Sequence, residues 1–527
     1  MLAVAVLAVL LLSPAAPAVG DDAPRIVEVY PNPVPTGDVG EYVLVEVSEP
    51  TSTAGWYLED DAGQWARPEE TTVEGRVALS RHPSEAARVV DHPVLALDGP
   101  LQLANRGQSV TLSVNGTLAD RVSYPGRAPE ARRWNVTDRR WVPLAATNFS
   151  PTRGVGATTA FVLPDAPGPV VAHLERARER IRVGAYTLAS PPVVDALLAA
   201  HDRGVDVAVH AEGRPVGGIP ASMADALDRL DAAGVPVTLH GGPYARWGYH
   251  HAKYAVVDDR LLVATENWKP SGLGGRANRG WGVVVENASL ADAAVDLFEA
   301  DASWRDARRW GAVRDAVDPV DVDPADGRFA ARHTPLEVDR AAATLLVGPE
   351  AVEAGLVEAI RDADERLDVL QMSVGGRTTP PVREAIAAAR RGVDVRVLLS
   401  GSWEVAEENR RFADEMAAIA EAEDLDLAVE LAGPNARFTR IHAKGLVVDG
   451  ERVLLGSVNW NNHSIRENRE LLLAIDDPTV ADYFTRAFEA DWPGPERWTL
   501  RLGLLAAMVA AGAAVAAHAR RLRVEGD

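Results

Sequence analysis

The chain has 527 residues, no cysteine and only three lysines. Without cysteine it can form no disulfide, no thiolate metal site and no thiol nucleophile. Aromatic residues supply 6% of the chain, which does not favour a long stacking groove. Positive charge is short as well: 54 Lys and Arg stand against 76 Asp and Glu, giving a net charge of -22 and a pI near 5.0. The acids are spread along the chain rather than gathered in a tail, which describes a strongly hydrated, self-repelling surface and suits halophilic adaptation. This balance argues against sequence-blind DNA binding, which depends on many phosphate contacts from Lys and Arg. High salt weakens the objection, since the Debye length falls to about 3 Å at 1 M. The apolar content of 47% suffices for packed cores and excludes disorder as the default.

Long apolar runs occur only at the ends. Met1 to Leu12 is followed by Ala16-Pro17-Ala18, a small-residue pattern that a signal peptidase could cleave, so residues 1–20 are expected to be a signal peptide, although a basic leading region is missing. Leu502 to Ala519 is nearly free of polar side chains and is closed by Arg520, Arg521 and Arg523. At about 1.5 Å per residue this run just spans a thin hydrocarbon core, predicting a transmembrane helix over 501–519 with the arginines cytoplasmic. The expected location is the cell membrane, with the bulk of the chain extracellular and a short cytoplasmic tail.

Residues 24–152 read as a small all-β sandwich. Arg25 to Tyr30, Glu41 to Val47, Leu101 to Leu103, Ser109 to Leu112 and Ala119 to Tyr124 are β-forming runs, with hairpin-turn signals at Asn105-Arg106-Gly107 and Asn115-Gly116. This stretch resembles the lamin-tail family, through its opening Ile26-Val27-Glu28-Val29, its Gly40-Glu41-Tyr42-Val43 strand and its Leu103-Ala104-Asn105-Arg106-Gly107 turn. The resemblance implies an accessory binding or spacer module.

Beyond it the chain repeats. Arg203-Gly204-Val205-Asp206-Val207 recurs 188 residues later as Arg391-Gly392-Val393-Asp394-Val395. His251 and His442 are 191 apart, Asn267 and Asn459 are 192 apart, and Phe298-Glu299-Ala300-Asp301 recurs after 190 as Phe488-Glu489-Ala490-Asp491. One near-constant offset means duplication. In each copy an apolar-periodic helix stops at Arg-Gly and a β-branched run follows, which is an α/β unit. The expected domains are lobe 1 at 160–316, a linker rich in Asp and Pro at 317–335, and lobe 2 at 336–496. The lobes are expected to be pseudo-twofold-related and to meet face to face.

Two of the three lysines lie in matching sequences: His251-Ala252-Lys253 with Asp258, and His442-Ala443-Lys444 with Asp449. Strand alternation puts each His and its Lys on one face, and likewise Thr265 with Asn267 and Ser457 with Asn459. Paired lobes would then converge two imidazoles, two ammoniums, two amides and two hydroxyls. Such a pocket suits a phosphate diester, because ammonium and amide donors can hold non-bridging oxygens as phosphorus becomes five-coordinate. One neutral histidine attacks phosphorus and the other, protonated, gives its proton to the departing oxygen. No metal and no cofactor is required, and one chain carries both half-sites, so no oligomer is needed. Asp258 and Asp449 read as turn-fixing, structural residues.

The repeat resembles the phospholipase D superfamily, with its His-x-Lys-x4-Asp-x6-Gly-Ser-x-Asn signature. His442, Lys444, Asp449, Gly456, Ser457 and Asn459 fit it fully. The first copy keeps His251, Lys253, Asp258 and Asn267, but is one residue shorter and has Ala264-Thr265 in place of Gly-Ser. Glu470, in Asn468-Arg469-Glu470, occupies the position where the family carries an acid that orients the motif histidine. The first copy has Asn278-Arg279-Gly280 there, so an acid is expected behind one motif only. The resemblance implies His251 as nucleophile and His442 as general acid, with the reverse order as the alternative. Together with the apolar ends, whose tether would hold the site near lipid, it implies an exported, membrane-anchored phosphodiesterase acting on phospholipid in preference to nucleic acid. The alternatives are a metal-independent endonuclease and a catalytically weak phosphate-binding surface protein.

Overall fold

The computed structural model describes residues 23–323 and 325–493. The expected signal peptide and transmembrane helix both lie outside the described residues. Among the described residues no helix is long and apolar enough to cross a membrane. Internal contacts divide the described chain into two compact units, 23–146 with 243–246, and 147–242 with 247–493.

The first unit is all-β apart from a single helical turn at Pro83–Ala86. Ten strands form one connected path, antiparallel except where Thr72–Ser80 pairs in parallel with Val94–Asp98. Its core is the inward face of alternating strands: Val43, Val45, Trp56, Leu58, Val77, Leu79, Val110 and Leu112 are all buried. Asn115 and Gly116, both at positive φ (50° and 79°), make the tight turn between Gln108–Val114 and Thr117–Tyr124. The expected strand at Leu101 to Leu103 is not a strand. Its leucines are buried, and its backbone is held by the Trp65 carbonyl and the Glu41 carboxylate rather than by a ladder.

The second unit contains both copies of the repeat. In the first, Pro191–Asp202 starts with two prolines, whose fixed φ suits the first helical turn, and stops at Gly204 (φ 87°). The Val205 N–H reaches back to the Ala200 carbonyl, and the chain enters the strand Asp206–Glu212. The second copy repeats this with Pro380–Arg390, Gly392 (φ 97°) and Asp394–Ser400. These strands pair in parallel with Arg180–Ala185 and Arg366–Gln371; the first buries His210 and Glu212 beside Val207 and Val209, and the second buries Val395, Val397, Leu398 and Leu399.

The lobes join differently from the expectation of two faces meeting. Thr152–Leu163 and Leu336–Gly348 pair antiparallel, from Thr152 with Leu345 to Ala160 with Leu336. Each long strand covers the open edge of the other lobe's sheet, so one sheet of sixteen strands runs through both lobes. The strand Thr152–Leu163, which crosses the border expected between the β-domain and lobe 1, is therefore the central seam of the second unit. The helices Ala288–Ser303 and Pro478–Asp491 bury Leu290, Leu297, Phe298, Phe484 and Phe488 in one core common to both lobes.

Candidate active site

His251 and His442 stand just before the core strands Tyr254–Val257 and Lys444–Val448. The His251 N–H donates to the Arg469 carbonyl (2.8 Å), and the His442 N–H to the Arg279 carbonyl (3.0 Å). Each histidine segment is thus tied to the Asn-Arg segment of the other lobe: Arg440 and Ile441 pair in parallel with Asn278 and Arg279, and His250 bridges to Arg469. The motifs converge closely enough that each imidazole feels both lysines, His251 that of Lys444 and His442 that of Lys253.

The carboxylates correct the sequence reading. Glu470 does not serve His442 of its own copy; both its oxygens lie 2.9 to 3.0 Å from His251 Nδ1 across the lobe seam. His442 has an acid too: Glu266 Oε1 lies 3.2 Å from its Nδ1. Glu266 sits between Thr265 and Asn267, where the second copy has Val458. Its carboxylate fills the space that a side chain at Gly280 would take, since a Cβ there would lie 2.2 Å from Glu266 Cγ and 2.6 Å from Oε1. Gly280 is the counterpart of Glu470, so the acid has moved from one segment to its neighbour while its carboxylate stayed in place. The supporting amide is the same in both halves: Asn278 Nδ2 donates to Glu266 Oε2 (2.8 Å), and Asn468 Nδ2 to Glu470 Oε1 (3.1 Å). Ser464 adds a hydroxyl donor to Glu470.

With Nδ1 held by a carboxylate, each imidazole keeps Nε2 for another partner. Burial lowers His251 to about 4 against the opposing pull of Glu470, and lowers His442 to about 3 against that of Glu266. Both shifts favour the neutral ring near pH 7. Burial alone would raise both carboxyls. His442 and Lys444 outweigh it for Glu266, and His251 and Lys253 outweigh it for Glu470, so both end below the ordinary range.

Lys253 and Lys444 are fully buried, and each ammonium donates to the carbonyl of its own motif histidine. Burial drives Lys253 well below its ordinary value and Lys444 to about 8. Lys253 also lies 5.2 Å from the centre of the Tyr186 ring, which meets His251 edge-on at 5.0 Å. The Oδ1 atoms of Asn267 and Asn459 are buried and without a hydrogen-bond partner within the protein.

The other motif residues are engaged with the backbone. The Thr265 hydroxyl accepts the Trp281 N–H (3.0 Å), and the Ser457 hydroxyl bonds both backbone groups of Leu471. The expected convergence of two hydroxyls on substrate is therefore corrected: they fasten neighbouring strands, with Ser457 also helping to hold Glu470 charged. Asp258 and Asp449, at positive φ (55° and 53°), cap the N–H groups of 178–180 and 364–366. Ala264 in place of Gly456 is explained by its cross-strand partner, which is Gly282 where Gly456 faces Leu472.

Sequence reasoning missed Glu266, the two supporting asparagines, Tyr186, and the arginines between Asn and acid. Arg279 is fully buried on Asp165 (2.9 Å) and Asp491 (2.6 Å), and Arg469 on Asp301 (2.9 Å) and Glu350 (3.0 Å). Their carbonyls hold His442 and His251. A signal existed: aligned on themselves, the copies read Thr-Glu-Asn with Asn-Arg-Gly, and Ser-Val-Asn with Asn-Arg-Glu, so each carries one acid.

The family profile described as "Cardiolipin synthase, PLD-like domain" matches residues 170–302 and 356–492. A stretch of 52 residues is 38% identical to the mitochondrial cardiolipin hydrolase of Xenopus laevis, covering 10% of this chain and 25% of that protein. The chain thus spans about a quarter of the length of that curated relative. Among solved structures, the phosphatidylserine synthase of Haemophilus influenzae Rd KW20 aligns with a TM-score of 0.48 at 15% identity, over 67% of this chain and 93% of that one. Nuc of Salmonella typhimurium, a phospholipase D family member, aligns with a TM-score of 0.24 at 22% identity, over 30% and 98%.

Proposed function

Since the chain belongs to the phospholipase D superfamily, whose members are phosphodiesterase-type enzymes, we propose that it cleaves or transfers phospholipid phosphodiesters through a covalent phosphohistidine. The carrying observation is the pair of imidazoles, each held at Nδ1 by a carboxylate from the opposite lobe and each within the field of both lysines. The family profile and the curated relative both bear names that concern cardiolipin, which supports a phospholipid substrate. Export and a C-terminal membrane tether belong to the same reading and rest on the apolar runs at 1–20 and 501–519. The β unit, lamin-tail-like by its sequence, would be an accessory module.

His251 is the better nucleophile. Glu470 meets it with both oxygens and is itself fixed by Ser464 and Asn468, whereas Glu266 meets His442 with one oxygen at 3.2 Å. A carboxylate so placed raises imidazole basicity and stabilises the charge that develops on it. The diester's negative charge restores a proton to His442. His251 Nε2 then attacks phosphorus, the bond from phosphorus to the leaving alcohol breaks, and His442 gives its proton to that oxygen. Neutral His442 next takes a proton from water or an acceptor alcohol, whose oxygen attacks phosphorus and breaks the P–N bond. Lys253, Lys444 and the two amides bear the charge of the five-coordinate state.

A leaving group that needs no acid isolates the first step. With bis(p-nitrophenyl) phosphate, His442→Asn should release one equivalent of nitrophenolate in a burst and leave a mass adduct on the peptide carrying His251. No burst and no adduct, while the native protein turns over, would overturn the covalent step; an adduct on His442 in His251→Asn would reverse the roles.

A further inference from the structure

Behind the Glu266 carboxylate the two halves of the site differ. The residue two before His442 is Arg440, which pairs in parallel with Asn278. Its Nε donates to Asn278 Oδ1 (3.1 Å), and its Nη1 donates to Glu404 Oε1 (2.7 Å) in a pair that is partly exposed. Asn278 Nδ2 in turn donates to Glu266 Oε2 (2.8 Å), and Glu266 Oε1 lies 3.2 Å from His442 Nδ1. An unbroken run of polar contacts therefore leads from Glu404 through Arg440, Asn278 and Glu266 to His442.

The His251 half has no such run. The residue two before His251 is Tyr249, whose ring packs edge-on against Tyr186 at 6.0 Å and against His463 at 5.6 Å. Asn468 is the counterpart of Asn278, and its Oδ1 is buried without a hydrogen-bond partner within the protein. Glu470 takes a hydroxyl donor from Ser464 besides the Asn468 amide. One supporting amide is thus fixed at its oxygen by a guanidinium, and the other is not.

A side-chain amide has a donor end and an acceptor end of nearly the same shape. Turned over, Asn278 would set its oxygen against the Glu266 carboxylate, acceptor against acceptor. A guanidinium carries donors only, so Arg440 permits one orientation, with Oδ1 toward itself and Nδ2 toward Glu266. The cation also polarises the amide and strengthens its N–H as a donor, as hydrogen bonds in series do inside a dry site. A carboxylate facing a stronger donor holds its charge more firmly and pulls less on the imidazole proton. That suits a histidine whose task is to release a proton. Glu470, which meets His251 with both oxygens, suits the opposite task.

We propose that Arg440 is a positioning residue of this site: by fixing the Asn278 amide it sets the hold of Glu266 on His442, and so reserves His442 for proton delivery to the departing oxygen. This rests on the phosphodiesterase reading above. Arg440 acts through Asn278 and not on the substrate, so its loss falls on the proton transfers of His442 and spares the attack by His251.

The test compares the full chain with its Arg440→Gln, Arg440→Lys and Asn278→Ala forms and with the double form of Arg440→Gln and Asn278→Ala. The substrates are diphenyl phosphate, whose leaving group needs an acid, and bis(p-nitrophenyl) phosphate, whose leaving group does not. The first-turnover rate is read as phenol or nitrophenolate released. Arg440→Gln should lower it about 10-fold on diphenyl phosphate, as the loss of one charge-assisted hydrogen bond implies, and less than about twofold on bis(p-nitrophenyl) phosphate, with KM unchanged on both. Arg440→Lys keeps the cation and should show the same split at about threefold; it carries the test if Arg440→Gln does not fold. In the Asn278→Ala background, Arg440→Gln should cost less than about twofold further, because the amide through which it acts is gone. Equal losses on both substrates, no loss on either, a change confined to KM, or losses that multiply in the double form would each overturn the proposal and leave the phosphodiesterase reading intact. A native chain active on bis(p-nitrophenyl) phosphate but inert on diphenyl phosphate has no working acid for Arg440 to serve, and would overturn it as well. Failure of the native chain on both diesters would instead strike the underlying reading.

Discussion

Glu266 and Gly280 make a reciprocal pair with Val458 and Glu470, and exchanging them tests whether the place of the carboxylate matters or the residue that supplies it. Glu266→Gln keeps shape but removes the charge held 3.2 Å from His442 Nδ1. Loss of an orienting acid of this kind costs about 10²- to 10⁴-fold in kcat, or roughly 3 to 5 kcal/mol. Gly280→Glu alone should be worse for the fold, because its Cβ would lie 2.2 Å from Glu266 Cγ and a second carboxylate would be buried beside the first, at a cost of about 3 kcal/mol or more. Glu266→Val with Gly280→Glu copies the second lobe: the clash is gone, and Asn278 is placed to hold the new carboxylate as Asn468 holds Glu470. The double form should return to within about tenfold of native kcat, a coupling of at least about 2 kcal/mol in a double-mutant cycle. The assay is hydrolysis of a phosphodiester with an alkyl leaving group, where the role proposed for His442 is that of acid, alongside thermal unfolding of all five proteins. Glu266→Gln within twofold of native, or a double form no better than Glu266→Val, would refute the reasoning.

Arg279→Ala strands Asp165 and Asp491 in the core and should destabilise by about 3 to 5 kcal/mol; calorimetry showing less than about 1 kcal/mol would count against the clamp. Gly456→Ala places a methyl 2.1 Å from the Leu471 carbonyl and should cost about 1 to 3 kcal/mol, measured by urea unfolding, whereas Ala264→Gly should cost about 1 kcal/mol or less. His173, on the helix Gly168–Glu175, is lowered by burial to about 3, with the nearby charges of Arg260 and Arg176 adding to the shift and Asp258 opposing it. A histidine held below its ordinary value of about 6.5 contributes stability that is whole above that pH and is lost as pH falls toward the folded value. Between pH 6.5 and 5 it should remove about 2 kcal/mol, so His173→Gln should flatten that limb of the pH–stability curve; an unchanged slope would exclude His173 as its source.

Local order was legible in the sequence because short-range rules dictate it. Proline starts, Arg-Gly stops and β-branched runs pointed to the helices Pro191–Asp202 and Pro380–Arg390 and to the strands that follow them. The constant offset gave the two lobes, and the His-x-Lys spacing gave the residues that meet at the centre. The seam was not legible. Thr152–Leu163 crosses the border drawn between the β-domain and lobe 1, and nothing local says that its partner is Leu336–Gly348. Glu470 was assigned to the wrong histidine for the same reason, since sequence proximity favours its own copy and the actual contact crosses 219 positions.

The exchange of Glu266 for a residue at 280 shows what the site holds fixed. Val284 pairs with Leu262 and Gly282 with Ala264, so Gly280 continues a strand whose side chains at even positions face one way, and a carboxylate can reach His442 either from that strand or from the segment that follows Ala264. Whichever segment supplies it, Asn278 must find it and the opposite segment must be small or apolar: Gly280 beside Glu266 in one half, Val458 beside Glu470 in the other. The imidazole responds to the charge near Nδ1 and not to the chain that carries it. A motif defined by spacing can therefore lose its acid in one column while the chemistry is kept, provided a neighbouring column gains one and a glycine clears the space.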